Sequence, residues 1–203
     1  MMKRRFFPAV VLVLTTLTIA AGPAPMVWNV DVPHTGIGFS VKHFFTPVRG
    51  EFTDYTVDLV FDKENPENSS VNVTIDVASV DTGNERRDAH LMSGDFFDAE
   101  TYPHITFQSR EVVSVADDRI VVRGPLTIRD QTRDIELPVS ILGVRAIPQE
   151  MQEMLGGITE LAAFEAGLEI DRNEYGVGTG SWAATMVVGG EVDIDIAVEA
   201  NRK

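Results

Sequence analysis

The sequence predicts an all-β protein built from eight or nine antiparallel strands. Apolar residues recur at every second position in one segment after another, which is the period of a strand with one buried and one solvated face. Pairs of turn-forming residues, such as Asn65-Pro66 and Gly189-Gly190, separate these segments. The chain has 203 residues and no cysteine, so a single domain has to draw its stability from a hydrophobic core and not from disulfides.

The N-terminal region differs from the rest and predicts a secretory signal peptide over residues 1–24. Basic residues at positions 3–5 precede an apolar run over residues 6–21, and small residues and prolines follow. This is the order of parts in a signal peptide, and the run is short for a membrane anchor, which needs about 20 apolar residues. The sequence therefore predicts one exported domain over residues 25–203.

The strands are predicted in chain order from the alternation. The first covers residues 28–32. Because parallel sheets are buried on both faces and do not alternate in this way, antiparallel pairing is expected. The alternating apolar positions of the later strands are Ile37, Phe39 and Val41; Tyr55, Val57, Leu59 and Phe61; Val71, Val73, Ile75 and Val77; Ile105 and Phe107; Ile120, Val122, Leu126 and Ile128; Ile135, Leu137, Val139 and Ile141; Phe164, Ala166, Leu168 and Ile170; and Val188, Val192, Ile194, Ile196 and Val198.

One segment, residues 84–100, departs from the alternation and predicts a helix or helical loop. Asn84 or Thr82 can cap its start, and it ends before Pro103. A weaker helical pattern covers residues 148–155. The apolar side chains that share a roughly helical spacing in the first segment are Leu91, Met92, Phe96 and Phe97.

Strands with one apolar face either close into a barrel or stack as two sheets. A barrel of about eight strands has an interior just wide enough for side chains or for one small ligand. Composition does not distinguish the barrel from the sandwich. Alternation likewise does not separate residues that line a hollow from residues that fill a core.

The charge balance and the motifs exclude several classes of function. The 17 Lys and Arg residues face 31 Asp and Glu, a net charge of −14, which opposes non-specific binding to nucleic acid. No nucleophile elbow, phosphate-binding glycine loop or paired-histidine metal motif occurs in the sequence. The 4 histidines are scattered, so we expect no catalytic residues and no metal site.

A few basic residues are candidates for binding the polar end of an amphipathic ligand. A local cation on an acidic protein can hold a phosphate or carboxylate by charge-assisted hydrogen bonds. The alternative is that these side chains are surface charges paired with neighbouring carboxylates such as Glu51 and Glu85. The candidates are His43, Arg49 and Arg86.

Several motifs occur in a fixed order between Trp28 and Glu199. They read WNVD at 28–31, HTGIGFSVKH at 34–43, VRGEF at 48–52, NERRDAHL at 84–91, DFFD at 95–98, GPLTI at 124–128 and IDRNEYG at 170–176. In this order they resemble the YceI-like family of lipocalin-like, polyisoprenoid-binding proteins. The sequence departs from the family at residues 148–161, which are longer than the usual turn, and at residues 179–184. Both segments are expected at the mouth of a tunnel.

The resemblance implies an extended antiparallel, lipocalin-like β-barrel of about eight strands with one covering helix. It also implies a long apolar tunnel that carries an isoprenoid or quinone-like lipid in the bacterial periplasm, without catalysis and without another cofactor. Transient contact with a membrane or a membrane redox protein is a further expectation. The alternative function is that of a solid-cored envelope protein that acts through its surface, and a lipid-modifying enzyme is a third reading.

The inward positions of the strands and of the helical segment are the predicted ligand contacts, with the three basic candidates at the polar end. As lining or core we predict Phe39, Val41, Val57, Leu59, Phe61, Val73, Ile75, Leu91, Met92, Phe96, Phe107, Leu126, Ile128, Leu168 and Ile194.

Overall fold

The computed structural model describes residues 26–184 and 186–203. The predicted signal peptide at residues 1–24 lies outside the described residues. The strands in chain order are β1 (Val27–Val30), β2 (Gly36–His43), β3 (Thr46–Phe52), β4 (Tyr55–Val60), β5 (Ser70–Asp76), β6 (Val80–Asp81), β7 (His104–Gln108), β8 (Glu111–Ala116), β9 (Arg119–Ile128), β10 (Gln131–Ala146), β11 (Glu160–Asp171) and β12 (Val188–Arg202).

The predicted helix is confirmed as α1, which spans Glu85–Met92. Its N-cap is Asn84, whose side-chain oxygen accepts a hydrogen bond from the backbone N–H of Arg87 at 3.1 Å. Residues 93–103 continue as turns, so the helix is shorter than the predicted segment. The weaker pattern yields only a short helix, α2 (Gln149–Gln152).

Among the residues that the structure describes, no helix is both long enough and apolar enough to span a membrane.

The strands form one closed antiparallel ring. Around the barrel β1 is followed by β4, β5, β7, β9, β10, β11 and β12, and β12 pairs back onto β1 through Asn29 with Asn201 and Val30 with Ala200. The seam of the barrel therefore joins the first strand to the last. This confirms the predicted antiparallel barrel of about eight strands.

The ring has eight positions, and four of them are each occupied by two strands in succession. The described part of the chain therefore contains twelve strands. β1 and β2 both pair with β12 and are separated by a short 3-10 turn at Val32–His34. β3 and β4 follow one another beside them, as do β5 and β6, and β7 and β8.

The alternation does not reveal β3 and β8, because their sequences break it. In β3 the inward position facing Phe39 is Gly50, and a Cβ there would lie 2.5 Å from Cζ of the Phe39 ring. The aromatic ring of β2 thus fills the space that an apolar side chain of β3 would need. In β8, valines occur in succession at Val112 and Val113, so no period of two is visible.

The two ends of the barrel are closed differently. The end that carries α1, called the α1 end, has Phe96, Tyr175 and Val177 buried beneath the loops. The opposite end, called the α2 end, is closed by a separate cluster around Trp28, whose indole N–H donates to the Phe61 carbonyl at 2.9 Å. Between these two clusters lies the interior of the barrel.

Candidate functional site: an apolar cavity inside the barrel

The interior of the barrel is hollow. It contains a cavity of about 260 Å³ lined by inward side chains of the barrel strands. The rings of Phe39, Phe61 and Phe107 lie around this space and do not fill it. The interior is therefore not the packed core that the solid-cored alternative requires.

The cavity is long and narrow. Its lining on β12 runs from Val188 near the α1 end to Val198 near the α2 end. At about 3.3 Å per residue along the strand, and with the strand tilt of about 40° usual in barrels, this corresponds to roughly 25 Å along the barrel axis. The shape suits an extended chain better than a compact ligand.

Most of the predicted lining residues face this cavity, because the period of two holds through the strands. Leu91 of α1 and Phe96 of the following turn also reach it. Those that line it are Phe39, Val41, Val57, Leu59, Phe61, Val73, Ile75, Leu91, Phe96, Phe107, Leu126, Ile128, Leu168 and Ile194.

Four of the predicted contacts do not line the cavity. Arg49 lies on the outer face of β3, opposite Ser40, and is exposed. His43 is exposed at the end of β2 and packs edge-on against Phe44, with ring centroids 4.9 Å apart. Arg86 is exposed on α1, and Met92 packs against the core without reaching the cavity.

At the α1 end the cavity is bounded by Arg172, which is not among the predicted ligand contacts. This side chain is only 4% exposed, and burial lowers the pKa of its guanidinium group. Its five N–H groups all donate to backbone carbonyls: Nε to Gly189, Nη1 to Val177 and Gly178, and Nη2 to Trp182 and Val188, at 2.7 to 3.0 Å.

The role of Arg172 follows from this count of donors. Since no N–H group remains for a ligand, Arg172 holds the backbone of residues 177–182, which we call the Arg172 loop, over the cavity and does not bind a head group. A Cβ on Gly178 would collide with its Nη1, and Gly178 has a φ of +75°, so glycine is required there.

The sequence contains a signal for Arg172. The inward series of β11 is Phe164, Ala166, Leu168 and Ile170, and the next position in the same phase is Arg172. A basic residue that continues an apolar inward series has to be buried, so it needs several acceptors.

A second arginine ties the same end together. Nη1 of Arg129 donates to the carbonyl of Phe96 at 2.8 Å and to that of Gly176 at 2.6 Å. Its guanidinium group also lies over the Tyr102 ring, 5.3 Å from the centroid. The two arginines therefore fix the turns after α1 and the loop after β11 above the cavity.

The polar groups of the lining are few. Among the residues that the structure describes, Arg172 is the one charged side chain that lines the cavity, and hydroxyl-bearing residues are Thr35, Ser69, Ser70 and Tyr175. Burial raises the pKa of the Tyr175 hydroxyl, with a smaller contribution from the charge of Glu174. Such a lining can hold hydrocarbon but presents few polar partners.

One cluster of metal-ligating side chains lies outside the cavity. Asp31, His34 and Glu199 each offer a ligand atom, and these atoms lie within 4.8 Å of one another. Nδ1 of His34 is 3.1 Å from a carboxylate oxygen of Asp31, and His34 is exposed. An ordinary hydrogen-bonded pair accounts for this arrangement.

This pair leads to a testable pH dependence. The hydrogen bond to Asp31, followed by the charges of Asp31 and Glu199, raises the pKa of His34 above its ordinary value of 6.5. Because the folded state holds this proton more tightly, the pair stabilises the fold below the unfolded pKa, and the gain is lost as the pH rises through the folded pKa. An NMR titration should show an elevated His34 pKa that falls in Asp31→Asn; an unchanged pKa in that variant would contradict the assignment.

The closed antiparallel barrel and its hydrocarbon-lined cavity define a class, the hollow lipocalin-like barrels. Residues 28–200 match the YceI-like domain, and the chain belongs to the YceI-like family, as its motifs predict. Protein YceI of Escherichia coli is 33% identical over 167 residues, which are 82% of this chain and 81% of that protein.

Solved structures agree with this assignment. The crystal structure of Burkholderia cenocepacia BcnA superposes with a TM-score of 0.75 at 29% identity, covering 84% of this chain and 99% of that one. A polyisoprenoid binding domain from Saccharophagus degradans has a TM-score of 0.64 and covers 88% of this chain and 99% of its own. At 13% identity, this last likeness shows the shared fold alone.

The two segments predicted to depart from the family lie at opposite ends of the barrel. Residues 148–161 are at the α2 end, where the Thr159 N–H donates to the Arg202 carbonyl at 2.7 Å. In the 179–184 segment, the Trp182 ring packs against His90 and Phe96 at the α1 end. Neither segment contributes a residue to the cavity lining.

Proposed function

We propose that this protein binds a long-chain polyisoprenoid or quinone-like lipid in its barrel cavity, and carries or stores it in a bacterial periplasm without modifying it. The observation that carries the proposal is the apolar cavity of about 260 Å³, which extends between the Arg172 loop and the Trp28 cluster. Its apolar lining suits the hydrocarbon tail of such a lipid. The polar head group would then lie near one end of the cavity.

The energetics of burial support tight binding. One isoprene unit has about five carbons and contributes on the order of 4 kcal/mol gross, at roughly 0.8 kcal/mol per buried carbon. Three or four units therefore approach the practical limit of non-covalent affinity near −18 kcal/mol, before the costs of binding are subtracted. A long tail needs no strong polar anchor in this cavity, which fits the scarcity of polar lining residues.

The length of the cavity favours a long chain over an ordinary acyl tail. The hydrocarbon core of a bilayer is about 30 Å thick, so one leaflet accommodates tails of about 15 Å. A cavity of roughly 25 Å is longer than that. A barrel of the same fold in Saccharophagus degradans is a polyisoprenoid binding domain.

Mass spectrometry of lipids extracted from natively purified protein tests the proposal. We expect one dominant long-chain isoprenoid or quinone-like lipid. The apo protein, reloaded separately with an isoprenoid alcohol and with a common fatty acid, should retain the isoprenoid better because more carbons are buried. A protein that is isolated empty and retains neither lipid would contradict the proposal.

A further inference from the structure

The loop between β2 and β3 exposes large apolar side chains. It consists of Phe44 and Phe45, of which the first is 52% and the second 95% exposed. The Phe44 N–H donates to the Val187 carbonyl at 2.8 Å, which brings the neighbouring Met186, 80% exposed, beside the hairpin. We call Phe44, Phe45 and Met186 the apolar tip.

The turn itself does not favour these residues. Phe44 has a φ of +53°, and two-residue hairpin loops with a positive φ at the first central position normally use glycine. A bulky residue in this conformation is an outlier that costs stability. Folding and solubility therefore both disfavour the two phenylalanines, so their presence needs an explanation at the surface.

The charges around the apolar tip differ from those of the whole chain. The hairpin residues 40–50 include Lys42, His43 and Arg49 but no acidic residue, and residues 175–190 contain no charged residue. Lys42 and Arg49 are exposed. On a protein of net charge −14, the hairpin loop thus combines apolar and cationic side chains. The carboxylates nearest to it, Glu51, Glu191 and Asp193, lie further along the paired strands.

We propose that the apolar tip docks on the surface of an anionic phospholipid bilayer. Exposed aromatic side chains insert at the boundary between head groups and acyl chains, while lysine and arginine interact with anionic lipids. Phe44, Phe45 and Met186 supply the first component, and Lys42 and Arg49 supply the second.

The docked orientation places one end of the cavity at the bilayer. Val41 and Val188 line the cavity, and His43, which precedes the apolar tip, pairs with Val188. The α1 end of the cavity therefore faces the membrane. This orientation would give a lipid a short path between the bilayer and the cavity. That consequence rests on the proposed function, whereas the docking itself does not.

Site-specific fluorescence tests the orientation. Because the chain has no cysteine, Phe45→Cys and Asp117→Cys each give a single site for a polarity-sensitive label. Asp117 is exposed in the turn between β8 and β9, towards the α2 end. With anionic vesicles we expect a blue shift and quenching by nitroxide lipids for the label at 45 only. Equal quenching at both positions would overturn the proposed orientation.

A matched pair of variants tests the residues. Phe44→Gly with Phe45→Ser removes the aromatic rings and places glycine at the positive φ, so the melting temperature should stay the same or rise. Its binding to anionic vesicles should be weaker than that of the unmodified chain by about tenfold or more. Binding by the unmodified chain should itself weaken at high salt. Leu142→Ser, at another exposed apolar residue, is the control and should bind as the unmodified chain does.

Three results would overturn the proposal. They are unchanged vesicle binding by the double variant, equal binding to neutral vesicles, and a dimer of the unmodified chain that the double variant abolishes, which would make the tip a contact between copies. The extracted lipid distinguishes this proposal from the previous one. Retained lipid without vesicle binding removes only the docking surface, whereas vesicle binding by a protein that retains no lipid removes only the cavity function.

Discussion

Replacing Ala166 by phenylalanine is expected to abolish retention of a long-chain lipid. Ala166 lines the cavity midway along β11, between Val139 of β10 and Ile196 of β12. A ring at this position blocks the narrow space. Displacing even one isoprene unit, about five carbons, removes on the order of 4 kcal/mol, which is roughly a thousandfold in affinity.

The measurement is the amount of lipid per protein after native purification or reloading. Because the added ring fills an empty apolar cavity, the unfolding free energy should not fall. Glu165→Phe adds the same side chain one position away, on the exposed outer face, and should retain lipid normally. Full retention by Ala166→Phe would show that the ligand lies elsewhere.

Replacing Arg172 by methionine is expected to cause the largest loss of stability. Each buried carbonyl that loses its donor costs about 1–3 kcal/mol, and five carbonyls depend on this guanidinium group. Some of these carbonyls will hydrogen-bond to water when the Arg172 loop opens. We therefore expect the free energy of unfolding to fall by about 3–5 kcal/mol in total. At roughly 2–4 °C per kcal/mol, the melting temperature should fall by about 10 °C.

Urea unfolding of matched variants checks this prediction. Arg133→Met removes an exposed arginine that donates to the Glu174 carbonyl at 3.1 Å, and should change stability by less than about 1 kcal/mol. Gly178→Ala should resemble Arg172→Met, because its Cβ displaces the guanidinium group. If Arg172→Met lowers the free energy of unfolding no more than Arg133→Met does, the loop does not depend on the Arg172 side chain.

The sequence predicts the lining of the cavity well because one rule governs it. In a strand, successive side chains point to opposite faces, so knowing that Leu168 is inward also assigns Ala166 and Ile170. The rule fails where backbone or neighbouring side chains take the space. Gly50 in β3 is the example, since its place is filled by Phe39 from the adjacent strand.

The polar end of the site could not be predicted in the same way. Arg49 is a candidate because it is a local cation on an acidic protein, but its place in the alternation of β3 directs its side chain outwards. Arg172 occupies an inward position of the alternation, but its hydrogen-bond partners are carbonyls of a loop. The path of that loop depends on the tertiary fold. The alternation thus predicts which face of a strand a side chain occupies but not its hydrogen-bond partners.

The seam between β1 and β12 has a consequence for biogenesis. Asn29 and Asn201, which pair across it, are 172 positions apart, and β12 forms the last 15-residue strand. Contacts of such long sequence separation form late and slowly. During synthesis the barrel cannot close until β12 has emerged from the ribosome, so we expect this seam to form after the pairings between strands that are neighbours in the sequence.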